Sequence, residues 1–225
     1  MAPTAKPRAW ASGPANPALA RGALHVWRAE LDHVDPNLAS ALSDDERARV
    51  DRMLGNREQQ RWRAARGVLR TLLALYMDLE PAALRFRAGP HGKPALDPPA
   101  ISFNLSHSGG LALYAVAHNA VGVDVELDRG DRNSLAIAER VLGEQEAARL
   151  KALEPDLSRR EFLRAWTRHE ATTKCLGLPL LGNQARPQTP PWILDLDATD
   201  EGAAAVALDG PPHELSLWEW PPAPA

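Results

Sequence analysis

Apolar residues recur along this chain with two periods, the three- and four-residue spacing of α-helices and the alternation typical of β-strands. The helical spacing predicts four α-helices, at 43–53, 57–77, 134–153 and 158–176. The alternation predicts seven β-strands, at 23–32, 101–108, 111–117, 121–127, 192–197, 203–208 and 214–220. We also expect residues 118–120 to join two of these strands as a hairpin. Strand, helices and strands follow one another twice, so we predict an α+β fold.

This repetition divides the chain into an N-terminal half, 23–120, and a C-terminal half, 121–225. Residues 1–22 are rich in Pro and Ala, lack the apolar core of a signal peptide, and are expected to form a flexible lead-in. The single cysteine, Cys175, excludes an intrachain disulfide and favours a reducing compartment. No apolar run approaches the roughly 18–20 residues that span a bilayer. We therefore predict a cytoplasmic protein without a membrane segment.

Charge is distributed unevenly along the sequence, although the formal net charge is only −3. Eight arginines lie between residues 47 and 70 against two acidic residues, whereas seven acidic residues and no Lys or Arg follow residue 186. An overall basic surface for nucleic acid is therefore not expected, and a local anion site in the first half stays open. At 44% hydrophobic and 24% charged residues, the composition also argues against a disordered or coiled-coil protein.

Two carboxylates share one face of the strand predicted at 121–127. Asp124 and Glu126 are two residues apart in a segment whose alternate positions are valines, so the carboxylates point to one side and the valines to the other. Adjacent carboxylates repel each other unless a cation lies between them, and hard oxygen ligands suit Mg²⁺. The same pattern is common on a solvated strand face, so both interpretations stay open at this point.

The helix predicted at 158–176 carries a second group of polar residues. Glu170 and Lys174 are four residues apart in the order that stabilises a helix, by about 0.2–0.5 kcal/mol. This effect alone explains many such pairs, and His169 is compatible with an ordinary packed histidine. A catalytic pair and a structural pair are both consistent with the spacing.

A third group lies on a loop and on the strand that follows it. Gly92, Lys93 and Pro94 form a proline-fixed loop, and Ser106 and His107 lie near the end of a predicted strand. A lysine, a hydroxyl and an imidazole in this arrangement could hold phosphate or ribose groups. A Ser-His nucleophile pair is the alternative, but no G-x-S-x-G turn surrounds Ser106, which argues against a hydrolase.

Taken in order, the motifs G-K-P, F-N-x-S-H-S, G-V-D-V-E and W-x-x-x-E-A-x-x-K-x-x-G resemble those of the 4′-phosphopantetheinyl transferases, in particular the two-half, surfactin-synthetase-activating type. The resemblance covers residues 43–182. It implies two similar α/β halves packed as a pseudo-dimer, each a small antiparallel sheet with helices. It also implies an enzyme that moves the phosphopantetheine arm of coenzyme A onto a serine of an apo acyl, peptidyl or polyketide carrier protein and releases adenosine 3′,5′-bisphosphate.

The resemblance assigns roles to particular residues. Asp124, Glu126 and Glu170 match an acidic triad around Mg²⁺, and Asp124 and Glu170 are expected to be catalytic, with Glu170 the candidate general base. Lys174 matches a catalytic lysine that holds the phosphates as negative charge develops. The positions expected to contact coenzyme A are Arg49, Arg61, Lys93, Pro94, Ser106 and His107. The N-terminal half would bind the nucleotide and the C-terminal half would carry Mg²⁺ and the catalytic motifs, in a chain able to act as a monomer.

Three features depart from the pattern of that family. His169 stands where the family usually has lysine, and Glu46 stands where a relative carries lysine. The sequence ends at W-E-W-P-P-A-P-A, where family members usually continue into another strand. One alternative is therefore a catalytically weak or inactive module that binds coenzyme A or a carrier protein. Another is a metal-dependent phosphohydrolase, which would release adenosine bisphosphate without a carrier.

Overall fold

The computed structural model describes residues 9–130, 134–179 and 189–223. Within these ranges the α-helices are Asp44–Asp51 (α1), Asn56–Met77 (α2), Ser134–Ile137 (α3), Glu144–Lys151 (α4) and Pro155–Leu176 (α5). The β-strands are Ala11–Ser12 (β1), Ala23–Glu30 (β2), Phe86–Ala88 (β3), Pro94–Leu96 (β4), Ser102–Ser108 (β5), Leu111–Ala117 (β6), Val121–Leu127 (β7), Trp192–Asp195 (β8), Gly202–Leu208 (β9) and Glu214–Glu219 (β10). A π turn, Ala138–Leu142, separates α3 from α4, so the helix predicted at 134–153 is in two pieces. None of the helices in these ranges is both long enough and apolar enough to cross a membrane.

Eight of the described strands form two sheets. Along the first sheet the strand order is β1, β10, β2, β6, β5, and along the second it is β7, β9, β8. All neighbours are antiparallel except β10, which runs parallel to both β1 and β2. The remaining strands, β3 and β4, form a separate hairpin.

The two sheets pack face to face, and a long helix covers the outer face of each. Because successive strand residues point to opposite faces, Trp27 and Tyr114 of the first sheet pack against α2, whereas Val26 and Leu113 pack toward the second sheet. The valines of β7 complete that inner core. The outer face of the second sheet packs against α5 through small residues of β9 and of the helix. The α+β class predicted from the sequence is therefore confirmed, with helix, sheet, sheet and helix as successive layers.

Local sequence signals fix the ends of two helices. Ser43 Oγ accepts a hydrogen bond from the amide of Glu46 while the Glu46 carboxylate accepts one from the amide of Ser43, which is the capping box expected at the start of α1. The helix α5 begins at Pro155, earlier than predicted, because proline suits the first turn of a helix. It ends at Leu176, and the following Gly177, with a φ of 64°, supplies the left-handed cap.

Two connections run differently from the sequence expectation. The predicted hairpin through 118–120 is wrong, since β6 has β2 and β5 as its neighbours and β7 pairs with β9 in the other sheet. Residues 118–120 instead connect β6 of the first sheet to β7 of the second sheet. In this position the valines of β7 are buried in the core between the two sheets. The strand β10 returns from the C-terminal half to lie beside β2 in the first sheet. A division at residue 120 therefore separates the two sheets except for this one strand.

Candidate functional site

Side chains from three elements meet at Asp124, in the middle of β7. The Oγ of Ser106, on β5, donates a hydrogen bond to Asp124 Oδ1 at 2.7 Å. Lys174 Nζ, from the last turn of α5, donates to the same oxygen at 2.5 Å and lies 3.1 Å from Glu170 Oε2. We call Ser106, Asp124, Glu170 and Lys174 the junction cluster, because they join the edge of the first sheet to the second sheet and its helix.

Strand alternation and one glycine bring Asp124 under α5. The neighbouring valines, Val123 and Val125, lie in the inner core, so Asp124 points to the opposite face, where the helix packs. Gly122 is on this same face and lies so close to the helix that an added methyl group would overlap the carbonyl oxygen of Ala171. Glycine in a strand permits such a close approach of two backbones. The approach leaves Asp124 only 1% exposed.

Burial dominates the electrostatics of Asp124. It raises the pKa of this carboxyl to about 6, while the Lys174 ammonium opposes the rise and the Glu170 carboxylate adds to it. Oδ1 accepts two hydrogen bonds, whereas Oδ2 is buried and has no hydrogen-bond partner among the described residues. A buried carboxylate oxygen without a donor is unfavourable, so Oδ2 is an atom at which a cation or a proton is expected to bind.

Lys174 keeps its charge inside the cluster. Its side chain is 20% exposed, and burial by itself opposes ionisation. The carboxylates of Asp124 and Glu170 outweigh burial and hold the pKa of Lys174 above its ordinary value. Glu170 lies one helical turn before Lys174 and is 9% exposed. The cluster therefore combines a fixed cation with carboxylates that can accept a proton or bind a metal ion.

Sequence analysis missed two residues of β5 that hold β7 in place. Asn104 Oδ1 accepts a hydrogen bond from the amide of Val123 at 2.8 Å, and Ser108 Oγ donates to Glu126 Oε2 at 3.0 Å. Both lie on the same strand face as Ser106, and the alternation within F-N-x-S-H-S is a signal that could have found them. Through these contacts β5 aligns the acidic face of β7.

The triad implied for Mg²⁺ consists of Asp124, Glu126 and Glu170. In 9–130, 134–179 and 189–223, no three His, Cys, Asp or Glu side chains are grouped closely enough to hold a metal ion as they stand. The Lys174 ammonium lies between Asp124 and Glu170. The donor set nevertheless fits a hard divalent cation, because all three side chains offer carboxylate oxygens and Asp124 Oδ2 has no partner within the described ranges.

Lys93 and Pro94 lie at the β3–β4 hairpin, beside the junction cluster. Lys93 Nζ donates to the backbone carbonyls of Val121 and Lys174, both at 2.8 Å. Burial lowers the pKa of Lys93. Pro94 begins β4 and lines, together with Lys93, a pocket of about 260 Å³. The ammonium of Lys93 therefore contacts peptide carbonyls, while that of Lys174 contacts carboxylates.

The two arginines expected at coenzyme A are engaged with partners outside the junction cluster. Arg61 donates through Nε and Nη2 to the two carboxylate oxygens of Asp32, at 2.8 and 2.7 Å. Hydrogen bonds from Arg61 and Arg57 hold the pKa of Asp32 well below its usual range. Arg49 lies on α1, with its guanidinium 5.8 Å from the centre of the Trp62 ring.

His107 lies on β5, next to Ser106 in the sequence and on the opposite face of the strand. It is half-buried, and burial lowers the pKa of its imidazole, so the neutral form is favoured at neutral pH. The charges of Lys174 and Arg61 oppose protonation further, while Glu58 and Glu126 favour it. Its charge state therefore responds to charged groups of α2, β7 and α5.

Comparison with known proteins decides the family. A family model described as the 4′-phosphopantetheinyl transferase superfamily matches residues 120–220, which include β7 and α5. The chain is also 33% identical to the 4′-phosphopantetheinyl transferase HetI of a Nostoc species, over 94% of this chain and 98% of that protein. The chain belongs to the 4′-phosphopantetheinyl transferase superfamily.

Two further relatives in this superfamily match over shorter stretches. The chain is 36% identical to AcpT of Escherichia coli K12, over 53% of this chain and 58% of that protein. It is 28% identical to Sfp of Bacillus subtilis, over 63% of this chain and 64% of that protein. All three relatives carry the name 4′-phosphopantetheinyl transferase, so the family and the enzyme class predicted from the motifs are confirmed.

Two residues that depart from the 4′-phosphopantetheinyl transferase pattern have defined surroundings. His169 lies beside Trp166, with the ring centroids 6.1 Å apart. Glu46 is buried and accepts hydrogen bonds from Arg66 and Arg70. Burial disfavours the ionised form of Glu46, but the positive charge of Arg66 and the hydrogen bonds around the carboxylate hold its pKa below the ordinary value. Glu46 therefore joins α1 to α2, and a lysine at this position would face two guanidinium groups.

Proposed function

We propose that this enzyme moves the phosphopantetheine arm of coenzyme A to the serine hydroxyl of an apo acyl or peptidyl carrier protein, with the junction cluster as the reaction site. The observation that carries this proposal is the Lys174 ammonium held between Asp124 and Glu170, next to a buried carboxylate oxygen with no partner among the described residues. Phosphoryl transfer needs positioning and charge neutralisation more than covalent help from the protein. The junction cluster offers groups for both.

The proposed reaction is a displacement at phosphorus. The carrier serine oxygen forms a bond to the phosphorus atom that bears the pantetheine arm, and the bond from this phosphorus to the bridging pyrophosphate oxygen breaks. The bridging oxygen keeps the electron pair and leaves as part of adenosine 3′,5′-bisphosphate. The serine proton passes to a base on the enzyme.

The charged members of the junction cluster take distinct roles in this reaction. Glu170 is the base, since its carboxylate lies at the cluster and can take a proton directly or through one water molecule. Lys174 stabilises the leaving oxygen, because it stays an ammonium in a site where charge interactions are strong. Asp124 orients that ammonium through a 2.5 Å hydrogen bond.

Asp124, Glu126 and Glu170 are the residues that would hold Mg²⁺. Carboxylate oxygens are common protein ligands of this ion, and it usually shares them with substrate phosphates. When bound, Mg²⁺ would neutralise negative charge on the pyrophosphate of coenzyme A. The Lys174 ammonium already offsets part of the charge of two of these carboxylates.

We propose that coenzyme A binds along the N-terminal half, at the positions assigned by the family resemblance other than Lys93, whose ammonium is held by two backbone carbonyls. Ser106, which donates to Asp124, supports binding of the pyrophosphate at the cluster. His107 lies on the opposite face of β5 and interacts electrostatically with Arg61, which supports a contact with the 3′-phosphate. Arg61 would meet the 3′-phosphate and would share its guanidinium with Asp32. We further propose a monomer that acts in the cytoplasm, where the single cysteine stays reduced.

The test is the mass of apo carrier proteins, acyl and peptidyl, after incubation with the enzyme and coenzyme A. We expect the carrier to gain one phosphopantetheine group for each adenosine 3′,5′-bisphosphate released. Neither product should form when EDTA removes divalent ions. An unchanged carrier mass with retained binding of coenzyme A would contradict the proposal and indicate a binding module. Adenosine bisphosphate released without any carrier would indicate a phosphohydrolase.

A further inference from the structure

Lys93 lies between the two elements that carry most of the junction cluster. Its ammonium donates to the carbonyl of Val121, the first residue of β7, and to the carbonyl of Lys174, in the last turn of α5, each at 2.8 Å. Asp124 lies on the same strand as Val121, and the side chain of Lys174 contacts Asp124. One ammonium group thus ties the backbone of Lys174 to the first residue of the strand that carries Asp124.

The helix α5 itself offers only a long hydrogen bond to the carbonyl oxygen of Lys174. The last four carbonyls of an α-helix have no donor within the helix. Here the cap amide of Gly177 reaches Lys174 O only at 3.3 Å. The C-terminal end of a helix is also its negative end, so a cation is favourable there. Lys93 supplies both a short hydrogen bond and a positive charge at this end.

We propose that Lys93 is a positioning residue, which fixes the last turn of α5 against the start of β7 so that Lys174 reaches Asp124 and the reacting phosphate. This inference rests on the proposed function. It differs from the role that the family resemblance implies for Lys93, which is direct contact with coenzyme A. The two roles lead to different kinetic effects when Lys93 is replaced.

Other contacts along the same seam between β7 and α5 support a positioning role. Cys175 Sγ, next to Lys174, donates to the carbonyl of Ala120 at 3.2 Å. Gly122 lies against the helix backbone with no room for a methyl group. The Lys93 hydrogen bonds lie between these two contacts in sequence and join the same strand and helix. Burial lowers the pKa of Lys93, as expected where peptide carbonyls have replaced most of its water.

Lys93→Met keeps the unbranched apolar side chain and removes the ammonium. We expect kcat to fall by roughly tenfold to a hundredfold, since a shift of about 1 Å at a reacting group can lower the rate about 10²-fold. The KM for coenzyme A should stay within about twofold of the wild-type value, because Lys93 does not touch the substrate in this role. Lys151→Met, the same change at an exposed lysine of α4, is the matched control and should alter neither constant.

Lys93→Arg is the conservative variant. It keeps the positive charge but replaces a compact ammonium with a broad planar group, which cannot bridge the two carbonyls in the same geometry. We expect a smaller fall in kcat than for Lys93→Met and again an unchanged KM for coenzyme A. This variant decides the question if thermal unfolding shows that Lys93→Met is not folded.

A KM for coenzyme A raised about tenfold with kcat unchanged, in either variant, would overturn the positioning role and favour direct substrate contact. Unchanged kcat and KM in both variants would overturn it as well. Failure of the proposed function is distinguishable from both results, because the wild-type enzyme would then transfer nothing to the carrier.

Discussion

Asp124 is a carboxyl group that the fold has removed from water and left with one oxygen lacking a donor among the described residues. Lys174 and Ser106 donate only to Oδ1, so burial still raises the pKa to about 6. At neutral pH this carboxyl is therefore ionised but close to its titration midpoint. Its charge is accordingly sensitive to any cation that reaches Oδ2.

We expect the Asp124 carboxyl to titrate near pH 6 in protein stripped of divalent ions, compared with 3.8 for an ordinary aspartate. Carbon-13 NMR of the carboxyl groups measures this midpoint, and Asp124→Asn identifies the resonance by removing it. Addition of Mg²⁺ should lower the midpoint, because a nearby cation favours the carboxylate. A midpoint close to 3.8 in the metal-free protein would show that the carboxyl is not buried as described.

His25 gives the folded protein a stability that depends on pH. It is 2% exposed, its Nδ1 lies 2.8 Å from the hydroxyl of Tyr76, and burial lowers its pKa from 6.5 to about 4. The unfolded chain therefore binds a proton near pH 6.5, whereas the folded protein does not until about pH 4. Stability from this group is complete above pH 6.5 and is lost as the pH falls toward 4, by at most about 3–4 kcal/mol at 1.36 kcal/mol per pKa unit.

His25→Leu should remove this dependence. At pH 7 the variant is expected to be less stable by about 1–3 kcal/mol, because the Tyr76 hydroxyl loses a buried partner. Between pH 6.5 and 4 the difference from wild type should shrink, since only the wild type loses stability through His25. Denaturant unfolding at several pH values measures both effects, with His33→Leu, at an exposed histidine, as the control. A difference that stays constant over this range would contradict the assignment.

Among the elements, the contact between β7 and α5 decides whether the charged groups of the junction cluster meet. Gly122→Ala would push a methyl group into backbone atoms of Ala171 and Cys175, which cannot rotate away as a side chain can. Overpacking of this kind costs about 1–3 kcal/mol, and we expect the upper end together with loss of most transfer activity. Thermal unfolding and the carrier mass assay report the two effects. Wild-type values of both would mean that strand and helix do not pack this closely.

The sequence predicted where several strands lie along the chain, but it did not predict which strands lie side by side in a sheet. The strands predicted at 101–108, 111–117 and 121–127 agree with β5, β6 and β7 to within one residue. The hairpin at 118–120 was wrong because alternation shows that a segment is a strand and does not show which strand lies beside it. The pairing of β10 with β2 joins opposite ends of the chain, and packing of the whole core determines it.

In the functional site, too, the sequence indicates candidate residues but not the residues that they contact. Spacing within two motifs made Asp124, Glu170 and Lys174 candidates, the family resemblance assigned their roles, and the fold brings these residues into contact. The partners of other motif residues were not predictable, since a motif specifies a residue type and not what it contacts. Asp32, which holds Arg61, lies 29 residues earlier in the chain and belongs to no motif.

Across the whole molecule, the arginine-rich segment 47–70 carries less free positive charge than its composition indicates. Six of its eight arginines pair with carboxylates: Arg47 with Asp44, Arg57 and Arg61 with Asp32, Arg63 with Asp51, and Arg66 and Arg70 with Glu46. Several of these pairs join α2 to α1 or to the segment after β2. Much of this positive charge is therefore used in ion pairs within the N-terminal half. Each of these ion pairs that is exposed to solvent contributes at most about 1 kcal/mol to stability.

The junction cluster depends on both halves of the chain. Ser106 comes from the first sheet, whereas Asp124 comes from the second sheet and Glu170 and Lys174 come from the helix that covers it. Neither half alone contains the whole cluster. The packing of the two sheets is therefore a requirement for the proposed chemistry as well as for stability.

The rate of phosphopantetheine transfer by the Glu170→Gln variant tests most directly whether the junction cluster performs the transfer. The measurement is the single-turnover rate of phosphopantetheine transfer to an apo carrier, with Glu144→Gln, at an exposed glutamate of α4, as the matched control. We predict that Glu170→Gln, folded by thermal unfolding, is slower by at least about 10²-fold, the usual contribution of a general base. Glu144→Gln should match the wild type. Transfer by Glu170→Gln at the wild-type rate would contradict the account.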